Sequence, residues 1–307
     1  MIAVSACTYK RPDQLARLLD SFMLIKTPAD VEFVIVDNDG ADPEVERVAQ
    51  DFRDRSGKTL HLVVETRAGI SAARNAAFAK AREIGAEKIA MVDDDEWVTE
   101  AWLPELLKTQ AETGAVIVGG PVRPVFSENR QDMARHATLW SVERDYLGGK
   151  PFVFCTCNFM LDLAIVEPLG PEPFDHAYGL TGGGDTVFFR TLALRGAEMA
   201  WSEEAFIYEE IPDSRATIKW LRQRRYRAGN VAYRWETEFP TPSDINPKLK
   251  TLAAVVRLPL FPLLGKWRGP LFLAWYLEFE KVRGRLAAQF GSLYAEYGRG
   301  DTQKACR

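Results

Sequence analysis

Short apolar runs alternate with segments of helical periodicity through the first half of the chain. The runs have the length of buried strands, and apolar side chains recur between them at helical spacing. Repeated β-α units of this length build a mostly parallel sheet that helices cover on both faces. The sequence therefore predicts an α/β fold, with strands at residues 2–7, 31–36, 60–64, 89–92 and 115–118.

The second half of the chain carries shorter and more widely spaced elements. Residues 152–161 and 205–208 are apolar enough to form strands, and residues 186–194 have helical periodicity. Gly196 follows that helix at a position where a left-handed glycine favours termination. We therefore expect the α/β domain to continue through these elements.

A basic helix closes the predicted domain. Ser214 can cap this helix by accepting a backbone hydrogen bond, and the helix is expected to run to about Trp235. We place the domain boundary there, with an α/β domain over residues 1–235 and a helical extension over residues 236–307.

The overall charge disfavours one class of partner. The net charge is -4 and the isoelectric point is near 5.6, whereas nucleic-acid-binding domains are usually basic. Residues 215–234 are strongly basic, whereas the rest of the chain is acidic. We therefore expect no nucleic-acid partner.

The cysteine spacing indicates a reduced protein. Cys7, Cys155, Cys157 and Cys306 fit neither a zinc motif nor a disulfide framework. The apolar residues 1–4 run directly into the first strand, so no signal peptide is expected. Reduced core cysteines in a cytoplasmic protein are the predicted state.

Residues 250–283 combine apolar, aromatic and basic side chains. The apolar segment 252–264 is interrupted by Arg257 and two prolines, and the segment 270–277 is too short to span a bilayer. Aromatic and basic side chains together are typical of a helix at a membrane interface. Helices packed on a protein core explain the same composition, so both interpretations stay open. The first predicts peripheral contact with the inner face of a membrane.

Polar side chains directly follow three predicted strands: Thr8, Asp37 and the acidic run at residues 93–96. Ligands of parallel sheets bind at the edge where the carboxyl ends of the strands meet. Adjacent carboxylates repel one another, and their oxygens suit Mg²⁺ or Mn²⁺. In an extended segment Asp93 and Asp95 point to the same side, so one can hold a metal while the other reaches a ribose. A solvated acidic turn is the structural alternative.

Five segments stand in a characteristic order along the chain: residues 4–12 (VSACTYKRP), 34–38 (VIVDN), 69–75 (GISAARN), 91–96 (MVDDDE) and 182–185 (GGGD). Together they resemble the inverting glycosyltransferases of family 2, which have a GT-A fold. This resemblance implies a Rossmann-like, mixed and mostly parallel sheet flanked by helices. Within the family the chain is most similar to succinoglycan-type β-1,4-glucosyltransferases, because of the segments CTCN (155–158), GGDTVFF (183–189) and RRYRAG (224–229).

The resemblance implies a UDP-sugar donor and assigns its contacts. Thr8 and Arg11 would lie near the nucleotide, and Asp37 would accept a hydrogen bond from the uracil ring. Arg74 would neutralise phosphate or contact the base, and Asn75 would support its loop. Taken alone, Asp37 also suits a turn and Arg74 suits a helix surface.

The same resemblance divides the acidic run into roles. Asp95 is the preferred metal ligand, and Asp93 is the expected ribose contact as well as a second metal ligand. Asp94 is counted with the donor-binding residues. The metal expected here is Mg²⁺ or Mn²⁺, which also binds diphosphate oxygens.

Asp185 is the candidate catalytic base. Inverting transfer needs one carboxylate to take the proton from the acceptor hydroxyl while that oxygen attacks the sugar. Residues 182–184 are glycines, which let the backbone approach an acceptor closely. Many relatives carry Glu immediately before this Asp, whereas Gly184 stands here. A helix N-cap is the structural alternative for Asp185, and the two roles are compatible.

The basic helix carries a variant of the family's Gln-x-x-Arg-Trp element. Arg222 replaces its Gln and Tyr226 its Trp, with Arg225 between them. Arg222 and Arg225 are therefore assigned to the donor diphosphate, although a lipid pyrophosphate, an anionic bilayer or plain solvation also explains a basic face. At Tyr208, where relatives often have a metal-binding His, Glu209 or Glu210 is a candidate substitute.

These inferences predict a hexosyltransferase, with glucose as the favoured sugar. It would extend a lipid-linked oligosaccharide for surface polysaccharide at the cytoplasmic face of a membrane. Two alternatives remain: a nucleotidyltransferase, and a non-catalytic subunit that binds sugar nucleotide. The segment 8–12 has no glycine for a phosphate loop, which disfavours the nucleotidyltransferase.

Overall fold

The computed structural model describes residues 1–26, 30–178, 182–240, 244–258 and 270–292. Cys306 and the part of the predicted interfacial segment at residues 259–269 lie outside these ranges. The chain forms two compact units that are not contiguous in sequence. The first comprises residues 1–125, 136–179 and 184–210, and the second comprises residues 126–135, 180–183 and 211–307.

The described residues form the following strands and helices. The strands are β1 (Ile2–Thr8), β2 (Val31–Asp37), β3 (Leu60–Val64), β4 (Lys88–Val92), β5 (Glu96–Val98), β6 (Ile117–Gly119), β7 (Val122–Phe126), β8 (Asp145–Leu147), β9 (Lys150–Phe152), β10 (Asn158–Asp162), β11 (Met199–Trp201) and β12 (Ile207–Ile211). The helices are α1 (Pro12–Met23), α2 (Pro43–Ser56), α3 (Ile70–Glu83), α4 (Trp102–Thr113), α5 (Gln131–Ala134), α6 (Gly184–Leu194), α7 (Ile218–Glu238), α8 (Pro247–Arg257) and α9 (Pro270–Gln289).

A seven-stranded sheet forms the centre of the first unit, in the order β11-β6-β10-β4-β1-β2-β3. Strand β10 is antiparallel to both of its neighbours, and the other neighbouring pairs are parallel. Helices α1, α2 and α4 contribute to the apolar core on one face, and α3 and α6 contribute to the core on the other. The predicted mixed, mostly parallel sheet with helices on both faces is therefore confirmed.

The strand predicted at residues 152–161 is in fact two strands. Strand β9 forms a hairpin with β8 across Gly148 and Gly149, which both have positive φ. Strand β10 begins only at Asn158, opposite Val92, the last residue of β4. The residues before Asn158 extend past the end of their partner strand, so no ladder can continue through Cys155 and Cys157.

Helix α7 opens the helical part of the second unit, and it begins later than the sequence indicated. Its cap is Thr217, whose side chain accepts a hydrogen bond from the backbone of Trp220, and not Ser214. The boundary predicted at residue 235 falls inside this helix, and the division into an α/β domain and a helical extension stays a proposal.

Helices α7 and α9 cross closely because both carry glycine at the contact. A Cβ atom at Gly229 would lie 1.9 Å from the carbonyl oxygen of Lys281, and one at Gly284 would lie 1.9 Å from that of Tyr226. A buried ion pair joins Arg285 of α9 to Glu236 of α7 at 2.6 Å. Within the described ranges, no helix is long and apolar enough to cross a membrane.

Candidate active site

The polar residues that follow the strands of the first unit lie at one edge of its sheet. Thr8 ends β1 directly opposite Asp37 at the end of β2. Asp93 follows the last residue of β4, and the antiparallel β10 begins at the same level with Asn158. This is the edge at which parallel α/β sheets bind ligands. The structure therefore brings together the strand-end residues that the sequence singled out.

The acidic run forms a turn, not the extended segment used to predict its geometry. The backbone N–H of Glu96 donates to the carbonyl of Asp93 at 3.3 Å, and the Glu96 carboxylate accepts from the Asp93 N–H at 2.6 Å. Glu96 already belongs to β5, where it pairs with Glu209 of β12. Glu96 is buried in this short strand, and the chain turns at Asp94 and Asp95 to enter it.

Arg11 supplies part of the positive charge that the acidic run requires. Its guanidinium contacts Asp94 at 3.0 Å and Asp95 at 3.1 Å. The hydroxyl of Thr8 donates to the other oxygen of Asp94 at 2.9 Å. Asp94 is therefore buried and bonded on both oxygens, whereas the Asp95 side chain is more exposed. The family resemblance implied that Thr8 and Arg11 lie near the nucleotide, and it gave no indication of their contacts with the acidic run.

The carboxylates of this cluster are hard to ionise together. Burial raises the pKa of Asp93 to about 7, the charges of Asp95, Asp185 and Asp94 add to the shift, and Arg74 opposes it. Burial likewise raises the pKa of Asp94, against the opposing charge of Arg11. The pKa of Glu96 lies well above its usual value, chiefly because of burial. A bound cation would favour the ionised form of these groups.

The donor set fits a divalent cation that a substrate helps to coordinate. Over the described part of the chain, no three His, Cys, Asp or Glu side chains are placed to hold a metal by themselves. Mg²⁺ is commonly bound by one or two carboxylates together with substrate phosphates. A metal-binding role for Asp95 and Asp93 stays a prediction, because the turn at residues 93–96 replaces the extended geometry on which their pairing was predicted.

Asp37 is held in a turn. Its buried carboxylate accepts hydrogen bonds from the backbone N–H groups of Asp39 at 2.9 Å and Asp42 at 2.7 Å. This is the turn geometry that the sequence offered as an alternative role. The neighbouring Asn38 bonds the carbonyls of Glu65 and Arg67 and so joins two loops of the edge. A uracil contact by Asp37 stays a prediction.

Asp185 lies in the first turn of α6, where two side chains hold it. Arg74 places its Nη1 atom 3.5 Å from Oδ1, and the hydroxyl of Thr156 donates to Oδ2 at 3.3 Å. Arg74 comes from α3 and is buried, contrary to the surface role considered for it. Its neighbour Asn75 makes two hydrogen bonds to the backbone of Phe174, which supports the expectation that Asn75 anchors a loop.

Thr156 is a site residue whose role sequence reasoning missed. It stands between Cys155 and Cys157, whose sulfur atoms are 2.9 Å apart and which are free thiols. Thr156 is fully buried and reaches Asp185 because the chain leaves the sheet before Asn158. The sequence signal was only the unusual Cys-Thr-Cys-Asn segment, which carries no indication of this contact.

Strand β12 places two acids next to the turn of the acidic run. Glu209 pairs with Glu96, and the backbone N–H of Glu210 donates to the carbonyl of Asp95 at 3.2 Å. Tyr208 stacks on Trp97 with ring centroids 5.6 Å apart. The two acids proposed as substitutes for a missing His are therefore close to the acidic run in the fold, and a metal-binding role for either stays a prediction.

Arg222 and Arg225 belong to the second unit. The Arg222 guanidinium binds Glu280 of α9 with two nitrogens, at 2.9 and 2.8 Å, and lies over the ring of Tyr276. Burial lowers the pKa of Arg225. Arg222 thus has a partner within its own unit, and a contact of either arginine with donor diphosphate stays a prediction.

Comparison with solved structures identifies the fold class of the protein. The chain superposes on a mannosyltransferase from Pyrobaculum calidifontis in complex with GDP-Man and Mn²⁺, with a TM-score of 0.61, 17% identity, and coverage of 94% of this chain and 87% of that one. It also superposes on residues 1–349 of TarS from S. aureus in complex with UDP, with a TM-score of 0.54, 14% identity and 97% coverage of both chains. These likenesses show the GT-A fold.

Sequence comparison then identifies the family. The model of Glycosyl transferase family 2 matches residues 4–170. The succinoglycan biosynthesis protein ExoM of Rhizobium meliloti is 33% identical over 232 residues, 75% of this chain and 73% of its own. The glucosyl-dolichyl phosphate glucuronosyltransferase of Haloferax volcanii is 33% identical over 268 residues, 83% of each chain. The chain belongs to glycosyl transferase family 2 and is a glycosyltransferase, as its motifs predicted.

Proposed function

We propose that this enzyme transfers a hexose, with inversion, from a UDP-sugar to a lipid-linked oligosaccharide in the synthesis of a surface polysaccharide. The observation that carries the proposal is the position of Arg74. It pairs with Asp185 at 3.5 Å, and its charge also acts on Asp93. A single buried guanidinium therefore links the candidate base to the candidate donor edge.

Asp185 would act as the general base. Its Oδ2 atom accepts from Thr156, and Arg74 lies beside Oδ1, so the carboxylate is held in one orientation. The acceptor hydroxyl would give its proton to this carboxylate as its oxygen attacks the anomeric carbon. One carboxylate suffices for inversion, which agrees with glycine at position 184.

The donor would lie along the strand edge. Asp95 and Asp93 would hold Mg²⁺ or Mn²⁺, which stabilises the charge that grows on the diphosphate as it leaves. Thr8 and Arg11 keep Asp94 and Asp95 in place through the contacts described above. Asp37 would meet the uracil ring, and Arg74 would also face phosphate.

The proposed identities of the donor sugar and of the acceptor are based on the relatives of the chain. Similarity to succinoglycan-type enzymes favours UDP-glucose, and ExoM is named for succinoglycan biosynthesis. The Haloferax relative is named for glucuronosyl transfer to a lipid phosphate, so UDP-glucuronate is the second donor to test. A lipid-linked acceptor would bring the enzyme to the cytoplasmic, inner face of the membrane.

A donor screen tests this function. Purified protein is incubated with single sugar nucleotides and a membrane extract as acceptor source, and released UDP is measured with Mn²⁺, with Mg²⁺ and with chelator. We expect metal-dependent UDP release from UDP-glucose that requires the extract. Calorimetry with UDP runs in parallel. Metal-dependent UDP binding without transfer from any donor would favour the non-catalytic subunit instead.

A further inference from the structure

Helix α8 of the second unit exposes its apolar face. Leu249, Leu252 and Val256 are 60%, 58% and 61% exposed, whereas Thr251 on the other side of the helix is buried. Ile245, just before the helix, is 64% exposed. Aliphatic side chains normally turn inward on a surface helix, so this orientation is the reverse of the usual one.

Among the described residues, exposed apolar side chains form a cluster here. Five of the fourteen large hydrophobic side chains exposed in the described ranges lie within residues 245–256. The exposed large hydrophobic side chains of the first unit are scattered along its sequence, as is normal for the surface of a globular protein. A cluster of this kind marks a surface that meets a partner.

The charges around this face are basic. At about 100° per residue, Leu249, Leu252 and Val256 form one stripe, with Lys248 and Arg257 along its two sides. The helix sequence PKLKTLAAVVR contains no Asp or Glu, and its other lysine, Lys250, is paired with Glu236 at 2.5 Å. The apolar stripe is therefore bordered by exposed cations.

We propose that this face of α8 binds the surface of an anionic lipid bilayer. Aliphatic side chains would enter the boundary between headgroups and acyl chains, while Lys248 and Arg257 would meet lipid phosphates. A protein partner would need an apolar groove that is bordered by acidic side chains. An anionic bilayer presents an apolar layer and negative headgroups over its whole surface. The inference rests on the proposed function only in that a lipid-linked acceptor would bring the enzyme to a membrane.

Vesicle sedimentation tests the proposal with the full chain. The protein is mixed with vesicles of phosphatidylcholine alone or with one quarter phosphatidylglycerol, and the bound fraction is measured at low and high salt. We expect binding that is stronger to the anionic vesicles and weaker at high salt. The double variant Leu252→Glu/Val256→Glu should lower the partition coefficient roughly tenfold or more, because two aliphatic contacts are lost.

Two control variants test whether a loss of vesicle binding is specific to the exposed face of α8. Leu24→Glu changes a side chain 53% exposed in the first unit and should leave vesicle binding unchanged. Lys248→Glu/Arg257→Glu should reduce binding to anionic vesicles and remove its salt dependence. Circular dichroism and UDP binding verify that each variant is folded.

The outcomes are distinct. Vesicle binding by Leu252→Glu/Val256→Glu equal to that of the unchanged protein would overturn the proposal, as would no binding to either vesicle. If light scattering shows a dimer that this variant dissociates, without vesicle binding, the face belongs to a second copy of the chain and the proposal is wrong. Sedimentation uses no sugar nucleotide, so its failure leaves the transfer reaction untouched, and failure of transfer leaves membrane binding untouched.

Discussion

The guanidinium of Arg74 lies 3.5 Å from the carboxylate of Asp185, although the two residues are far apart in the sequence. Arg74 is buried on α3, and Asp185 lies in the first turn of α6. The hydroxyl of Thr156 contacts the other oxygen of the same carboxylate at 3.3 Å. Arg74 and Thr156 together thus hold the carboxylate that we propose as the general base in one orientation.

Asp185→Asn should remove transfer while leaving donor binding. The amide keeps the size of the carboxylate but cannot take the acceptor proton, so kcat should fall roughly 100- to 10,000-fold. Transfer is measured by UDP release, and UDP affinity by calorimetry. Glu198→Gln, at a position exposed outside this site, serves as the control and should keep normal turnover. Normal turnover by Asp185→Asn would exclude it as the base.

Asp95→Asn should abolish the metal dependence of UDP binding. Asp95 is the more exposed of the two carboxylates that Arg11 contacts, and it is the metal ligand that we propose. Asp94→Asn is the informative comparison, because Asp94 is buried and bonded to Thr8 and Arg11. It should lower the midpoint of thermal unfolding more than Asp95→Asn does. Calorimetry with and without Mn²⁺ checks this, and unchanged metal-dependent binding by Asp95→Asn would disprove the ligand role.

Thr156→Val should lower kcat and leave the KM for donor unchanged. Valine keeps the shape of threonine but cannot donate to Asp185, so the carboxylate loses one of the groups that orient it. A hydrogen bond to a charged group contributes about 1.5–3 kcal/mol, and this long one should account for roughly a tenfold change in kcat. Thr156→Ser keeps the hydroxyl and should restore most of the rate. Equal losses in both variants would point to packing instead.

Gly229→Ala should destabilise the second unit. The added Cβ would meet the carbonyl oxygen of Lys281 at 1.9 Å, and helix backbone can yield only by moving α7 away from α9. The free energy of unfolding should fall by about 3 kcal/mol. Ala228→Ser, exposed on the same helix, is the control and should have a small effect. Chemical denaturation followed by circular dichroism measures both, and equal stability would show that the helices do not cross so closely.

The sequence alone determined the fold class and the location of the candidate donor edge. Five strands of the central sheet follow from short apolar runs, because burial on both faces requires apolar side chains at nearly every position. Thr8, Asp37 and Asp93 could be placed at one edge because parallel strands end together there. The order of the family's motifs then identified the glycosyltransferase.

Tertiary structure alone decided how the site is held together. Arg11 meets Asp94 and Asp95, and Thr156 meets Asp185, across 83, 84 and 29 residues of sequence. No periodicity encodes such contacts, because they depend on where strands end and which neighbours they find. The turn at residues 93–96 followed from the pairing of β5 with β12, whose partner lies far along the chain.

The same limit applies to α8. Its sequence overlaps the apolar and basic region 250–283, for which a helix at a membrane interface and a helix packed on the core both stayed open. Periodicity fixes which side chains share a face, since it depends only on helix geometry. Whether that face points inward or outward depends on what packs against the helix. Only the tertiary structure therefore shows its orientation.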